Sequence, residues 1–183
     1  MSLEQRIKDC LGADVVEITE FRGDVCVEIP KSRVIEAMTL LKEKAGFDFL
    51  SDVIGVDNMD LYAKAKKAKK KKKDEEEEEP KKEGPPPPRF DVIYLLLSLS
   101  RDERVQVKVR VPEDDMDVPS VTGLWKAATW PEREAFDMYG FNFTGHPNLR
   151  RLLMWDEFED HPLRKDYPLE GKGEERHLNY DTV

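Results

Sequence analysis

Apolar residues at Leu3, Ile7 and Leu11 recur at helical spacing and stop at Gly12, so the chain opens with a short predicted helix. Val15, Val16 and Ile18, then Val25, Val27 and Ile29, read as two strands joined around Arg22-Gly23-Asp24, a hairpin turn. Pro30 and Ser32 open a second helix with apolar positions Val34, Ile35, Met38, Leu41 and Ala45. Gly46 closes it as a left-handed cap. FDFLSDVIGVD, Phe47 to Asp57, is apolar enough to predict a central strand.

The pattern then breaks. Ala63 to Pro88 reads AKAKKAKKKKKDEEEEEPKKEGPPPP, with no apolar side chain larger than alanine. Such a segment has nothing to contribute to a core. Its lysine run suggests a polyanion patch, but the adjacent glutamates screen it, and a solvated, self-neutralising insertion is the simpler reading. Regular pattern resumes at once in FDVIYLLLSLS (Phe90 to Ser100) and RVQVKVRV (Arg104 to Val111), around the turn Arg101-Asp102-Glu103. In the second strand Val105, Val107, Val109 and Val111 alternate with Gln106, Lys108 and Arg110, which predicts an antiparallel sheet with one wet face. The insertion therefore lies in a loop of one domain, where length costs little stability. VPSVTGLWKAATW predicts a broken helical turn, and Pro131 suits the first position of a helix reaching Tyr139 and ended by Gly140.

These elements predict an α+β fold: a mixed, mostly antiparallel sheet with helices packed on one face. The domain spans residues 1–140, interrupted at about 63–88, and residues 141–183 form an extended C-terminal arm. The arm carries short apolar groups, prolines and charge pairs without a sustained period. It is expected to be either disordered or laid across a partner.

Charge narrows the function classes. The chain has a net charge of −9 and 38% charged residues, with a mean hydropathy of −0.67. That balance disfavours nucleic acid as a partner. Cys10 and Cys26 form no CxxC pair, which argues against a zinc or iron–sulfur site held by this chain alone. The charged N-terminus MSLEQRIKDC does not read as a signal peptide, and the longest apolar run, Val92 to Leu97, is too short to cross a bilayer.

The densest chemistry lies in EREAFDMYGFNFTGHPNLRRLL, Glu132 to Leu153. Glu132, Glu134, Asp137, His146 and His161 are the candidate metal ligands or acid–base groups of an enzyme reading. No HExxH, GxSxG, Walker or dinucleotide-binding glycine pattern accompanies them, and Glu132 and Glu134 stand two apart on the predicted helix, so they diverge. Recognition explains the composition better. GHPNLRR (Gly145 to Arg151) and DHPLRKD (Asp160 to Asp166) are near-repeats in which proline stiffens the chain, leucine anchors it and cations follow. LLMWDEF between them supplies the groups enriched in interface cores. The arginines have two possible sets of partners, the carboxylates of Glu132, Glu134 and Asp137 in the same chain or acidic groups on another.

Together with DHPLRKDYPL (Asp160 to Leu169), the stretch closely resembles the signature of the 30-kDa-type subunit, lettered C, of proton-translocating NADH–quinone oxidoreductase, respiratory complex I. The similarity runs upstream through FLSDVIGVD, YLLLSLS, RVQVKVRVPEDD and VPSVTGLW. The resemblance implies a non-catalytic subunit of the peripheral arm that supports electron transfer from NADH to quinone. It would do so by holding the hydrogenase-like large subunit, lettered D, and would sit among other peripheral-arm subunits. Its place would be the cytoplasmic face of the bacterial inner membrane, attached through the complex only. NADH, FMN, iron–sulfur clusters and quinone are expected in other subunits, with no cofactor on this chain. The interface and motif positions it implies are Glu132, Arg133, Glu134, Asp137, Tyr139, Gly140, Gly145, His146, Pro147, Leu149, Arg150, Arg151, His161, Pro162, Leu163, Arg164, Lys165 and Tyr167. Alternatives are the equivalent subunit of a ferredoxin- or other donor-dependent complex or membrane-bound hydrogenase, a stand-alone metal-dependent enzyme, and an interaction module built on the insertion.

Overall fold

A computed structural model describes residues 2–59 and 88–173. Apart from Pro88, the charged insertion lies outside the described residues. Helix α1 (Leu3–Leu11) begins at Ser2, whose hydroxyl accepts the Gln5 amide at 3.3 Å, and buries Ile7 and Leu11. Strands β1 (Glu17–Phe21) and β2 (Asp24–Ile29) form the expected hairpin. Its two turn residues, Arg22 and Gly23, have φ of 54° and 87°, the mirror-image turn whose twist matches the strands.

A short 3₁₀ turn over Lys31–Arg33 leads into α2 (Val34–Glu43). Val34, Ala37, Met38 and Leu41 face the core, while Ile35 is exposed. Gly46, at φ 81°, ends this passage, and the Arg101 guanidinium donates to the Ala45 carbonyl at 2.7 Å. Helix α2 crosses over two strand positions before β3 (Phe49–Asp57) begins. Then β4 (Phe90–Ser98) and β5 (Glu103–Val111) complete a sheet in the order β1-β2-β5-β4-β3. Only β2 and β5 run parallel in it; the other neighbours are antiparallel.

The sheet corrects one expectation. β3 is an edge strand, not a central one. Its inward residues Leu50, Val53 and Gly55 are buried, but Phe49, Ser51 and Ile54 of the same apolar run are exposed. A register shift between Leu50 and Asp52 irregularises the strand, and the Asp52 carboxylate accepts the Val53 amide at 2.8 Å. Apolar content alone does not separate a covered edge strand from a central one. β5 behaves as its alternation requires: all four valines are buried. On the opposite face Lys108 and Arg110 reach Glu28 of β2 at 2.9 and 2.7 Å.

After β5, strand β6 (Asp117–Pro119) pairs in parallel with β7 (Asn142–Thr144), and α3 (Thr129–Tyr139) lies between them in sequence. Gly140 takes φ 85° and donates its amide to the Phe136 carbonyl at 2.8 Å, which turns the chain off the helix. Phe141 and Phe143 enter the core directly afterwards, with Phe141 edge-on to Phe90 at 5.9 Å. A Cβ at Gly55 would stand 2.8 Å from the Phe141 ring, so β3 can approach this cluster only as glycine.

The two ends flanking the insertion meet at a closed neck. The Asn58 amide donates to the Arg89 carbonyl at 2.9 Å, and the Asn58 side chain to Asp91 at 2.8 Å. Replacing residues 60–87 with a short Gly-Ser link is therefore expected to leave the thermal midpoint within about 3 °C of the parent, because only loop-closure entropy changes. A loss of cooperative melting in the shortened chain would show that the neck does not hold by itself.

Candidate functional site: the C-terminal arm and the helix it returns to

Helix α3 carries a row of ionisable residues, and three of them, Glu132, Arg133 and Asp137, are buried. Asp137 is fully enclosed and receives four donors from one segment of the arm. Arg151 Nη1 reaches its Oδ1 at 2.6 Å, while the Leu152, Leu153 and Met154 amides reach its Oδ2 at 2.9, 2.7 and 2.9 Å. Burial pushes this carboxyl up, but the three amides and Arg151 outweigh it and hold the pKa below the ordinary range. A buried charge is tolerable only when it is so fully satisfied.

The neighbours on α3 finish the return. Arg133 donates to the carbonyls of Arg150 (3.1 Å) and Arg151 (2.9 Å), so two consecutive residues of the arm are held through their backbone. His161 Nδ1 donates to the Asp137 carbonyl at 2.9 Å, and Arg164 Nε to the Tyr139 carbonyl at 2.7 Å, covering the free carbonyls at the helix end. Burial lowers the His161 pKa against the raising pull of its bond to the Asp137 carbonyl, and the adjacent Arg164 and Arg151 charges lower it further. Both side chains lie against Gly140, where a Cβ would meet Arg164 Nη2 at 2.5 Å and His161 Nε2 at 2.6 Å. Gly140 is thus required twice, for its positive φ and for its missing side chain. The Leu163 amide also donates to Met138. Beyond this, Trp155, Phe158 and Tyr167 meet edge-on in a row, with ring centres 4.9 and 6.1 Å apart and the Arg151 guanidinium over Phe158.

The described part of the arm is ordered against its own chain, through the internal pairing that the arginines and the acids of α3 allowed. It returns to its own helix through polar contacts that no hydrophobic period would reveal. Of the carboxylates expected to pair with arginines, only Asp137 does so. Glu132 is fully buried without a cation; it accepts the Ser120 hydroxyl at 2.6 Å and the Val121 amide at 2.8 Å, tying α3 to the loop after β6. Burial raises its pKa to about 7 against the lowering pull of those two donors. Glu134 is exposed. His146 stands apart from His161 in its bonding: its Nε2 donates to the Thr129 carbonyl at 3.1 Å and its Nδ1 accepts the Asn148 amide at 3.0 Å. Gly145, at φ 82°, makes the turn before it, Pro147 is exposed, and Leu149 packs partly against the core. Among the described residues no group of three or more histidines, cysteines and acids is placed to hold a metal.

Arg150 and Lys165 are exposed, and neither side chain bonds to any described residue. Leu153, Leu163 and Leu169 also face outward. Pro162 is half-buried.

One cluster escaped the sequence reading. Arg89 at the neck donates to the enclosed Asp57 carboxylate at 3.1 and 2.7 Å, and also binds Asp166 of the arm and Glu113. The Lys165 amide donates to Asp57 as well, at 2.9 Å. Burial raises the Asp57 carboxyl, but Arg89 and the amides win and hold it low; Arg89 likewise holds Asp166 low. An arginine and an aspartate bracketing a long insertion were the available signal. The arm is thus fastened twice, at Asp137 and at Asp57.

Residues 27–173 match the family described as the respiratory-chain NADH dehydrogenase 30-kDa subunit, and the chain belongs to that family. It is a subunit of a multi-subunit respiratory complex of the NADH–quinone oxidoreductase type. The subunit lettered C of the NADH-quinone oxidoreductase of Citrifermentans bemidjiense is 36% identical over 93% of this chain and 90% of its own length. The protein of the same description from Phenylobacterium zucineum is 43% identical over 85% of this chain and 62% of its own length. Among solved structures, the trypsin-resistant fragment of Nqo5 superposes with a TM-score of 0.61 at 32% identity, covering 81% of this chain and 100% of the fragment. A chain of the archaeal membrane-bound sulfane sulfur reductase shares the fold at a TM-score of 0.66 and 20% identity, covering 91% of this chain and 85% of its own. No helix among the described residues is long and apolar enough to cross a membrane.

Two outcomes test the internal bonding. Asp137→Ala should cost about 3–5 kcal/mol in urea unfolding, since it leaves three amides without an acceptor and takes the carboxylate from Arg151, which keeps only backbone carbonyls; a cost under about 1 kcal/mol would show the carboxylate to be dispensable. For Glu132 the folded pKa is raised to about 7 from 4.5, so its contribution is whole below the lower value and lost as pH rises through the upper one. Relative to Glu132→Gln, the parent should lose stability on the order of 3 kcal/mol between about pH 5 and pH 8. Parallel stability curves for the two proteins would contradict the buried, cation-free placement.

Proposed function

We propose that this chain is the non-catalytic subunit that holds the hydrogenase-like large subunit of the complex, and so supports electron transfer from NADH to quinone. The reading rests on the division of the arm. Its inner side is consumed by Asp137, Arg133 and Asp57, and its outer side presents the exposed side chains of Arg150, Lys165, Leu153 and Leu163, neither of the two cations bonded to a described residue. Stiffening a segment before contact lowers the ordering cost of association. NADH, FMN, the iron–sulfur clusters and quinone would then reside in other subunits, and attachment to the cytoplasmic face of the membrane would come through the complex. The relatives at 36% and 43% identity, both described as subunits of NADH-quinone oxidoreductases, favour the NADH–quinone assignment over other electron donors. The sulfane sulfur reductase chain, at 20% identity, speaks for the fold alone.

Arg150 separates assembly from folding, because only its carbonyl serves the domain. Arg150→Ala, tagged and recovered from native membranes in mild detergent, should bring down about five- to thirtyfold less large subunit than the parent, the loss of a side chain contributing about 1–2 kcal/mol. Its thermal midpoint, measured on the isolated chain, should stay within about 3 °C. Undiminished recovery, or a midpoint that falls in step with recovery, would remove Arg150 from the interface.

A further inference from the structure

Of the two enclosed acids on α3, the arm uses Asp137 and leaves Glu132 among hydroxyl groups. Ser120 Oγ lies 2.6 Å from Glu132 Oε2, and the Val121 amide 2.8 Å from Oε1. Ser120 Oγ in turn stands 2.8 Å from Thr122 Oγ1 and accepts the Thr122 amide at 3.2 Å, and Thr122 is half-buried. On β4 the Tyr94 hydroxyl is fully enclosed with no hydrogen-bond partner among the described residues; burial, then the Glu132 charge, push its pKa well up. No described cation bonds to the Glu132 carboxyl. Arg133 is spent on carbonyls of the arm, Asp137 on Arg151, and Glu134 is exposed. Lys42 of α2 ends on the Leu124 carbonyl and the His146 ring on that of Thr129.

This hydroxyl chain satisfies either protonation state of the acid. Ionised, Glu132 accepts from Ser120, which accepts from Thr122; protonated, it donates to Ser120, which donates to Thr122. The reversal is also a way out for the proton, which passes from Glu132 to Ser120 Oγ as that of Ser120 passes to Thr122 Oγ1 and that of Thr122 to water. What the site does not accommodate is the charge, and burial raises the pKa to about 7 against the two donors. Water reaches the anion if Ser120–Thr122 moves outward. The Ser120 amide donates to the Thr144 carbonyl at 2.9 Å, and Thr144 leads into the Gly145 turn of the arm.

We propose that Glu132 is a proton-operated latch at the root of the arm: protonated, it holds Ser120–Thr122 closed against α3, and ionised, it opens that segment to water and loosens the bond to Thr144. The closed form binds the proton more tightly than an opened, hydrated carboxyl, so opening grows as pH rises from about 5 and levels off above about 7.

Two measurements on the full chain test this. The infrared carbonyl band of a protonated acid, present in the parent and missing from Glu132→Gln, should titrate away with a midpoint near 7. Ser120→Ala, which removes a donor to the ionised form, should move that midpoint up. In amide hydrogen exchange corrected for its intrinsic pH dependence, protection at Val121 should fall on the order of a hundredfold between about pH 5 and pH 8. The Ser120 amide should follow it, β4 and β5 should stay better protected at both values, and in Glu132→Gln both loop amides should hold level. A midpoint below about pH 5, an unmoved or lowered midpoint in Ser120→Ala, or pH-independent protection at Val121 would overturn the latch. So would a Val121 amide that exchanges only together with the core strands, or a Ser120 amide that stays protected while Val121 loses protection.

Discussion

The carboxylate of Asp137 stays charged although it is sealed inside the protein, and that is possible only because Arg151 and three consecutive amides converge on it. Every one of those donors belongs to the arm. Removing the arm would leave an anion in the core, and removing the anion would leave three amides without an acceptor and Arg151 without its counter-charge. The path of residues 150–154 is therefore fixed by the requirement that a buried charge be solvated by something other than water. Arg133, His161 and Arg164 follow from it: each makes a backbone-carbonyl contact that forms only once the arm has returned to α3.

The same rule governs the two other buried acids of the site, with different results. Asp57 gains a full cation in Arg89 and stays charged, which fastens the arm again near Lys165 and Asp166. Glu132 gains only a hydroxyl and an amide, so its proton affinity rises toward neutrality. One helix thus carries an acid that welcomes ionisation and an acid that resists it, five residues apart in sequence. The difference comes from whether the arm or a neutral loop supplies the donors. The inward bonding also explains what faces out: Glu132 and Asp137 are occupied from within, while Glu134 and the Arg150 side chain are left exposed.

Much of the fold was legible because it depends on periods. The alternation Val105 to Val111, the helical spacing of Ile7 and Leu11, and the Arg22–Gly23 turn each repeat over a few residues and require no knowledge of distant chain. The edge position of β3 was not legible, since Val53 and Ile54 look alike in sequence and only packing shows which is covered. Within the site, the family motif pointed to Asp137, Arg151, Gly140 and His161, and the structure brings these together. It could not say which carboxylate each arginine would choose. Glu134, two residues from Glu132, is exposed, and the phase of the helix relative to the core decides that. Arg89 was missed because its partners lie far along the chain on both sides, at Asp57 and Asp166.

The central claim is that Asp137 organises the arm before any partner arrives. Amide hydrogen exchange at Leu152, Leu153 and Met154 in the isolated chain measures this directly, since all three amides belong to no helix or strand and owe their bonds to one carboxylate. The account predicts that they exchange slowly, with protection comparable to the core strands, and that Asp137→Asn speeds all three together. Exchange at the rate of an open loop in the parent chain would mean that the arm is ordered by its partner and not by its own helix.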